Sequence, residues 1–247
     1  MTPGGEEALA GGNVGGAVRV GGTVRRATGP WTPAVHALLD HLRSRLACVP
    51  RVYGYDEQGR EVLSYLPGRV VDIDTETLSV GQIVSLVRWT RAFHEAVAGF
   101  SHGGPWRFFP VEEPTLIGHN DIAPYNACFD GDDLVGVFDW DLAGPTTPLF
   151  ELAFIAWNCV PLWADIGADA AAARLRLIAA TYGGLDAHQI LRAVPARIQI
   201  MLDGIPVAAA AGDPGMANLL ASGEPDRSPG PLSGLADRIP AIERRLT

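Results

Sequence analysis

The stretch from Leu116 to Asn126 constrains the fold more than any other part of the chain, because it places polar side chains on a loop. It begins with apolar residues and then presents His119, Asp121 and Asn126 around Pro124. Proline lacks an N–H and disrupts helix interiors and central strands, so regular structure is not expected to continue through this segment. The sequence therefore predicts an apolar segment that ends in a polar loop.

A β-hairpin is predicted directly after this loop. Two short apolar runs, Ala127–Phe129 and Leu134–Phe138, flank the Asp130-Gly131 dipeptide, and an Asp-Gly turn is typical of hairpins. Because a hairpin brings its two ends together, Asn126 and Asp139 are expected to lie side by side. Asp, Asn and a second Asp would then converge, which indicates an oxygen-ligand metal site beside a candidate base. The alternative is that these acids only cap turns.

These two segments resemble a known family. The spacing His119-x-Asp121-x-x-x-x-Asn126 is similar to the catalytic loop of protein-kinase-like phosphotransferases, and Asp139-Trp140-Asp141 resembles their metal-binding Asp motif. With the Pro-Leu-x-Glu-Leu-Ala segment at 148–153, the variant is most similar to the aminoglycoside phosphotransferase/choline kinase family. The resemblance covers most of the chain and is strongest from Leu116 to Ala153.

The resemblance implies an α+β, two-lobed protein-kinase-like fold with a short antiparallel β N-lobe and a mainly helical C-lobe. Residues 1–66 would form a shortened nucleotide-binding N-lobe. Residues 67–247 would form the C-lobe, which carries the catalytic loop and the substrate site.

Several helices are predicted in the second part of the chain, and two of them bear on the site. Apolar residues recur at helical spacing between Ser79 and Phe100, and they are Ile83, Leu86, Val87, Phe93 and Val97. The segment from Leu149 to Trp163 is apolar and carries one acid, Glu151. A lone charge in such a helix needs a partner, and the resemblance makes Glu151 an acceptor for backbone amides near the catalytic loop.

The resemblance also implies roles for the central residues. Asp121, in the catalytic loop, would accept the proton of the substrate hydroxyl or orient that hydroxyl. His119, the other catalytic-loop residue, is expected to pack inward and orient the loop rather than act as an acid or a base. Asn126 and Asp139 would hold Mg²⁺, which prefers oxygen ligands. Asp141 would contact a second metal ion or order the loop.

ATP or GTP is the implied co-substrate. In the family, a cation on the strand before the first helix binds the phosphates, and Arg25 or Arg26 occupies that place in a sequence that contains no Lys. Strand side chains alternate between faces, so only one of the two is expected to enter a cleft. A solvated basic strand end is the alternative. Backbone groups of Ser64, Tyr65 and Leu66 are expected to bind the base.

Two features near the N-terminus concern the same site. The glycine-rich stretch Gly11–Gly16 is interpreted either as a turn whose backbone amides approach phosphates or as a loose tail. In relatives, a Glu on the first helix pairs with the strand cation. His36 lies near that place here, and a surface or packing role is expected for it.

Composition narrows the class of protein. A net charge of −9 over 247 residues argues against a nucleic-acid partner, which would require a basic face. No apolar run reaches membrane-spanning length, so no membrane contact is expected. Three cysteines without metal-ligand spacing are typical of buried thiols in a reducing, cytoplasmic setting. A monomer or a homodimer is expected.

The leading hypothesis is a Mg-dependent kinase that transfers the nucleotide γ-phosphate to a hydroxyl of an aminoglycoside-like antibiotic or an amino alcohol. The acceptor would be small, hydroxylated and in some cases cationic. Several acids could meet a polycation or could simply be solvated, namely Asp165, Asp169, Asp203 and Asp213. The rival hypothesis is a catalytically weak or inactive kinase-like protein that binds a nucleotide or another ligand. A third, a metal-dependent hydrolase, lacks the ligand pattern such enzymes usually need.

Overall fold

The first part of the molecule is a five-stranded antiparallel sheet with one accompanying helix. The computed structural model describes residues 5–9, 16–73, 75–223 and 229–247. Residues 11–15 of the glycine-rich stretch therefore lie outside the described residues. The elements are β1 (Glu7–Ala8), β2 (Val18–Val20), β3 (Thr23–Arg26), α1 (Thr32–Leu42), β4 (Val52–Tyr55) and β5 (Glu61–Ser64).

The strand order of this sheet is β1-β2-β3-β5-β4, which places β3 at the centre. Strands β2 and β3 form a hairpin around Gly21 (φ 59°) and Gly22, a Gly-Gly turn of the kind that short hairpin loops favour. The register between β3 and β5 sets Arg26 directly opposite Glu61. Residues directly opposite each other in an antiparallel pair have neighbouring side chains, so the sheet itself brings this cation and this acid together.

The second part of the molecule is mainly helical. Its helices are α2 (Val80–Ala96), α3 (Pro148–Cys159), α4 (Ala168–Tyr182), α5 (Ala187–Ala210), α6 (Pro214–Ala221) and α7 (Pro229–Leu246). Helix α2 begins with a capping box, in which Ser79 accepts from the N–H of Gln82 and the Gln82 side chain accepts from the Ser79 N–H. The five predicted apolar positions are at most 1% exposed, which confirms the amphipathic helix.

Short strands carry the central segment. They are β6 (Arg69–Val70), β7 (Leu116–Gly118), β8 (Ala127–Asp130), β9 (Asp133–Val137) and β10 (Gly144–Thr146). Strands β8 and β9 pair antiparallel around Gly131 (φ 59°), which confirms the predicted hairpin. Strand β6 pairs with β8, and β7 pairs with β10. The loop after β7 is therefore held between two pairs of strands.

The hydrophobic core lies beneath this central segment. The ring of Phe93, from α2, meets the ring of Trp140 edge-on at 5.3 Å between centroids. Leu152 and Ile155 on α3 are fully buried, and burying a side chain of this size contributes about 2 kcal/mol. None of the described helices combines the length and the apolarity that crossing a membrane requires.

This architecture confirms the predicted α+β class, with an antiparallel sheet followed by a mainly helical part. The predicted boundary between residues 66 and 67 falls in the connection between β5 and β6. It stays a prediction.

Candidate functional site

A buried acid fixes the backbone of the polar loop. Glu151, on α3, is 1% exposed and accepts hydrogen bonds from the N–H groups of His119 (3.3 Å) and Asn120. A Cβ at Gly118 would lie 2.8 Å from the Glu151 carboxyl carbon, so only glycine allows this approach. Burial opposes ionisation of Glu151, but the hydrogen bond from His94 (3.2 Å), the hydrogen bond from the Asn120 N–H and the other favourable electrostatic interactions together outweigh it and lower the pKa. Glu151 is therefore the structural acceptor that the sequence predicted.

His119 orients the loop and does not line the cleft. Its side chain is fully buried, and its Nε2 donates to the carbonyl of Phe138 at 3.1 Å. Its Nδ1 accepts from the N–H of Asp121 at 3.2 Å. One nitrogen donates and the other accepts, which requires the neutral ring, and burial lowers the pKa of His119 accordingly. The geometry matches a positioning role and removes His119 from the set of candidate catalytic residues.

Asp121 lies at the surface of the cleft with both carboxyl oxygens engaged. Its Oδ2 accepts from Asn126 Nδ2 at 2.8 Å, and its Oδ1 accepts from the Tyr125 hydroxyl at 3.1 Å. Burial, assisted by the negative charge of Asp139, raises the pKa of Asp121 to about 8. A base with a pKa near neutrality is suited to taking a proton from a hydroxyl group. The sequence analysis missed Tyr125 as its partner.

The hairpin places Asp139 beside Asn126 in the chain fold. The N–H of Phe138 donates to the carbonyl of Asn126 at 3.0 Å, directly before Asp139. Asp139 then adopts a left-handed backbone, with φ 59° and ψ 67°. Non-glycine residues rarely take this conformation, and it often marks functional sites. Asn126 and Asp139 both line the same cleft.

Of the two adjacent arginines, Arg26 enters the cleft. Its Nη1 lies 3.0 Å from Asp139 Oδ1, its Nη2 contacts Asp141, and its Nε lies 2.9 Å from Glu61 Oε1. Burial opposes the charge, but Asp139 and the other acids outweigh it and raise the pKa of Arg26. Arg25 instead lies 4.0 Å from Asp56, outside the cleft lining.

Glu61 is a site residue that the sequence analysis missed. It is 3% exposed and accepts from Arg26 with one oxygen, while its other oxygen lies 2.8 Å from His36 Nε2. His36 is buried and packs against the Tyr55 ring at 5.2 Å between centroids, as the packing alternative predicted, and it also connects α1 to the charged cluster through Glu61. The acid that pairs with the strand cation comes from β5 instead of from the first helix.

Arg107 is a second missed residue. Its guanidinium lies 3.2 Å from Asp141 Oδ2 and 2.7 Å from Asp213 Oδ1, and it stacks on the ring of Trp31 at 4.3 Å. Asp141 therefore has one oxygen on Arg26 and the other on Arg107. Burial raises the pKa of Asp141 to about 6, so it is ionised at neutral pH. Of its two predicted roles, this geometry favours ordering the loop over binding a second metal ion.

One cleft of about 730 Å³ joins these side chains to the sheet. Its sheet side is mostly apolar and includes Val24, Leu63, Ser64, Tyr65 and Leu66, together with Phe138 and Cys128. The N–H groups of Ser64 and Tyr65 already donate to Arg51 and Gly22, both at 2.9 Å. Of the three residues expected to bind a base, Leu66 is the one whose N–H has no such internal partner in the part of the chain described.

The charges of the cluster fit a divalent cation. Four carboxylates face two guanidiniums and leave an excess of two negative charges, the acids being Glu61, Asp139, Asp141 and Asp213 and the cations Arg26 and Arg107. No group of three or more His, Cys, Asp or Glu among the described residues could hold a metal by itself. Mg²⁺ usually takes one or two protein ligands plus phosphates and water, so two protein ligands are enough for such a site, and the assignment of Asn126 and Asp139 stays a prediction.

Comparison with known proteins points the same way. Residues 102–188 match the model of the phosphotransferase enzyme family. The trifolitoxin immunity protein of Rhizobium leguminosarum bv. trifolii is 35% identical over 169 residues, which are 65% of this chain and 64% of that protein. The chain thus matches about two thirds of the length of this curated relative. The family model covers the predicted catalytic loop and Asp motif, which confirms the family resemblance.

Solved structures show the fold. An aminoglycoside phosphotransferase bound to GDP and kanamycin has a TM-score of 0.59 and 14% identity, covering 100% of this chain and 95% of that chain. An amicoumacin kinase in complex with AMP-PNP and Ca²⁺ has a TM-score of 0.63 and 13% identity, covering 95% and 87%. The predicted protein-kinase-like fold is confirmed.

Proposed function

We propose that this protein is a small-molecule kinase that transfers the γ-phosphate of ATP or GTP to a hydroxyl group. One observation carries the proposal: Asp121, Asn126, Asp139 and Arg26 line a single cleft together with the apolar residues of the sheet. Phosphoryl transfer depends on positioning and charge neutralisation more than on covalent chemistry by the protein. The cleft offers a base, two oxygen ligands and a cation within one volume.

In this proposal the sheet side of the cleft binds the base of the nucleotide, and the Leu66 N–H is its donor. Asn126 and Asp139 would hold Mg²⁺, and the ion would supply charge neutralisation for the phosphoryl group that is transferred. Arg26 binds phosphate oxygens, and a guanidinium can do so with two hydrogen bonds. Its ion pairs with Asp139 and Asp141 keep it in the cleft before the nucleotide binds.

Asp121 then acts on the acceptor. It takes the hydroxyl proton as the new bond forms between the acceptor oxygen and the γ-phosphorus, while the bond to the β-phosphate oxygen breaks. Tyr125 and Asn126 fix the carboxyl group in orientation. The neighbouring Asn120 carbonyl accepts from Arg197 of α5 at 2.6 Å, which ties the loop to the helices.

A second candidate function is ligand binding without phosphate transfer. It is favoured by the closed Arg26 cluster, in which three carboxylates occupy the cation expected to bind phosphate. The relative named as a trifolitoxin immunity protein is compatible with such a role. The intact set of Asp121, Asn126 and Asp139 favours transfer instead.

A nucleotide-consumption screen separates the two functions. The protein is incubated with MgATP or MgGTP and a panel of hydroxylated antibiotics and amino alcohols, and products are examined by mass spectrometry for an added phosphate. Transfer is expected with wild-type protein and not with Asp139→Ala. If nucleotide binds measurably while every acceptor stays unmodified, the binding function replaces the kinase proposal.

A further inference from the structure

Helices α5 and α6 contribute a separate part of the cleft lining from the sheet. This helical wall consists of Met201, Ile205, Met216 and Leu219. Ile205 and Met216 are 2% and 3% exposed, so they are held firmly by their neighbours. Methionine is unbranched and polarisable, and it adapts to irregular apolar ligands. A wall of these residues offers dispersion contacts and no charge.

The acids that could have met a polycation are engaged elsewhere. Asp213 binds Arg107 at 2.7 Å and caps α6 through the N–H groups of Gly215 and Met216. Asp203 accepts from Gln199 at 2.8 Å, Asp169 pairs with Arg245 at 2.9 Å, and Asp165 accepts from the Gly167 N–H at 3.2 Å. None of the four is among the described residues that line the cleft.

Of the three carboxylates among the described residues that line the cleft, Asp121 is bound only by the neutral groups of Tyr125 and Asn126, and the other two are committed to cations. Asp139 and Asp141 are bound by Arg26, and Asp141 is bound again by Arg107. Arg107 lines the cleft itself and adds a positive charge to its polar floor. A polycationic acceptor needs a carboxylate for each desolvated ammonium group, because a buried charge without a partner is costly. The described residues that line the cleft supply at most one, Asp121.

We propose that the acceptor is an amphiphilic hydroxyl compound, with an apolar body and at most one positive charge, whose body packs on the helical wall. The inference rests on the proposed function, since the acceptor hydroxyl is assigned to Asp121. It excludes aminoglycosides with several ammonium groups from the acceptor class. The apolar body supplies the binding energy, and the hydroxyl supplies the reacting oxygen.

The test uses alkyl β-D-glucosides from methyl to octyl as probes and kanamycin as the polycation. Binding to the full chain is measured by titration calorimetry with AMP-PNP and Mg²⁺ present, so that the sheet side is filled. Affinity is expected to rise about two- to fourfold for each added CH₂ that the wall buries, while kanamycin stays without measurable binding. Affinity that is independent of chain length, or kanamycin binding more tightly than the octyl glucoside, overturns the inference.

Variants locate the site. Met201→Glu and Leu219→Glu, on α5 and α6, are each expected to weaken octyl glucoside binding at least tenfold. Leu220→Glu is the matched control, because Leu220 is 43% exposed and does not line the cleft. Circular dichroism confirms that each variant is folded, and two sites on different helices protect the test against a single folding failure. Equal affinity in all three variants overturns the assignment to the helical wall.

Failure of the kinase proposal gives a different result. AMP-PNP binding is titrated alone in the wild-type protein and in Met201→Glu. If the nucleotide does not bind while chain-length dependence is present and is lost in Met201→Glu, the proposed function falls and the apolar ligand class stands. If the nucleotide binds and the glucosides show no dependence, the inference falls and the kinase proposal stands.

Discussion

The polar loop after β7 and the central strand β3 bring charged side chains to the same cleft by different means. The loop is held by buried groups that do not line the cleft. Glu151 accepts from the backbone of His119 and Asn120, and the neutral His119 ring binds the Phe138 carbonyl and the Asp121 N–H. Arg26 on β3 is instead held by ion pairs with carboxylates, two of which line the cleft. The loop can keep its shape whatever binds, whereas Arg26 must share its partners with any ligand.

Because of this difference, substitutions at the polar loop and substitutions around Arg26 should change different properties of the protein. Substitution of Glu151 should lower the free energy of unfolding, because buried hydrogen bonds to an ionised group are lost. Changes around Arg26 should act on ligand affinity, because the cluster only partly neutralises itself. Substitutions of Asp121 and Asp139, which line the cleft and are assigned to contact ligands, should change the rate of phosphate transfer.

The largest effect is expected for Asp139→Ala. The variant removes one protein ligand for Mg²⁺ and one partner of Arg26, so Mg-dependent nucleotide turnover should fall at least about a thousandfold, a loss near 4 kcal/mol of transition-state stabilisation. Turnover is measured by a coupled nucleotide assay. Asp130→Ala, at the exposed end of β8, is the control. Unchanged turnover in Asp139→Ala would remove the metal role from this residue.

Asp121→Asn is expected to reduce phosphate transfer by about a hundredfold to a thousandfold, the usual contribution of a general base. Nucleotide affinity should stay within about twofold of wild type, since Asp121 is assigned to the acceptor. Single-turnover kinetics and nucleotide titration measure the two quantities separately. A wild-type transfer rate in this variant would eliminate the base role and leave Asp121 as a structural residue.

The stability of Asp121→Asn should depend on pH differently from the stability of the wild type. Because burial raises the pKa of Asp121 to about 8, the folded protein holds a proton that the unfolded chain releases near pH 4. The stability of the wild type therefore falls as the pH rises from about 4 to 8, and Asp121→Asn should not show this loss. The melting temperature of the variant should exceed that of the wild type by a few °C at pH 8. Equal curves at all pH values would contradict the raised pKa.

Glu151→Gln tests the hydrogen bonds that hold the backbone of the polar loop. An amide can still accept one hydrogen bond but places an NH₂ group against backbone N–H donors, so the free energy of unfolding should drop by about 2 kcal/mol. Urea denaturation measures the change. Glu112→Gln, an exposed site, should leave the midpoint unchanged. If both variants unfold at the wild-type midpoint, Glu151 does not fix the loop.

The smallest effect is expected at β3. Arg26→Ala should weaken nucleotide binding about tenfold, the equivalent of one charged hydrogen bond, and Arg25→Ala should change it by less than about twofold. Titration with AMP-PNP measures both. Tighter binding in Arg26→Ala would show that the guanidinium blocks the site, and it would support ligand binding without transfer.

Much of the loop could be predicted because its signals are local. Asp121, Asn126 and Asp139 are separated by one proline-containing loop and one hairpin, and an Asp-Gly turn predicts how the hairpin closes. Glu151 follows from a different rule, since a single acid in an apolar helix must have a partner.

The environment of Arg26 could not be predicted in the same way. Glu61 meets it through the register of two strands that are distant in the chain. Arg107, in the irregular segment between α2 and β7, meets Asp213 at the start of α6. Side-chain alternation predicted that one of Arg25 and Arg26 enters the cleft, but not which one. The choice depends on which face of β3 the rest of the molecule covers.

The pairing of Arg26 with Glu61 within one sheet has a consequence for control. In protein kinases the equivalent cation pairs with an acid on a mobile helix, so that displacement of this helix dismantles the ion pair and silences the enzyme. Here both partners belong to adjacent strands, and α1 contacts the pair through His36. An outward movement of α1 is therefore expected to leave Arg26 and Glu61 together, because the register of β3 and β5 holds them.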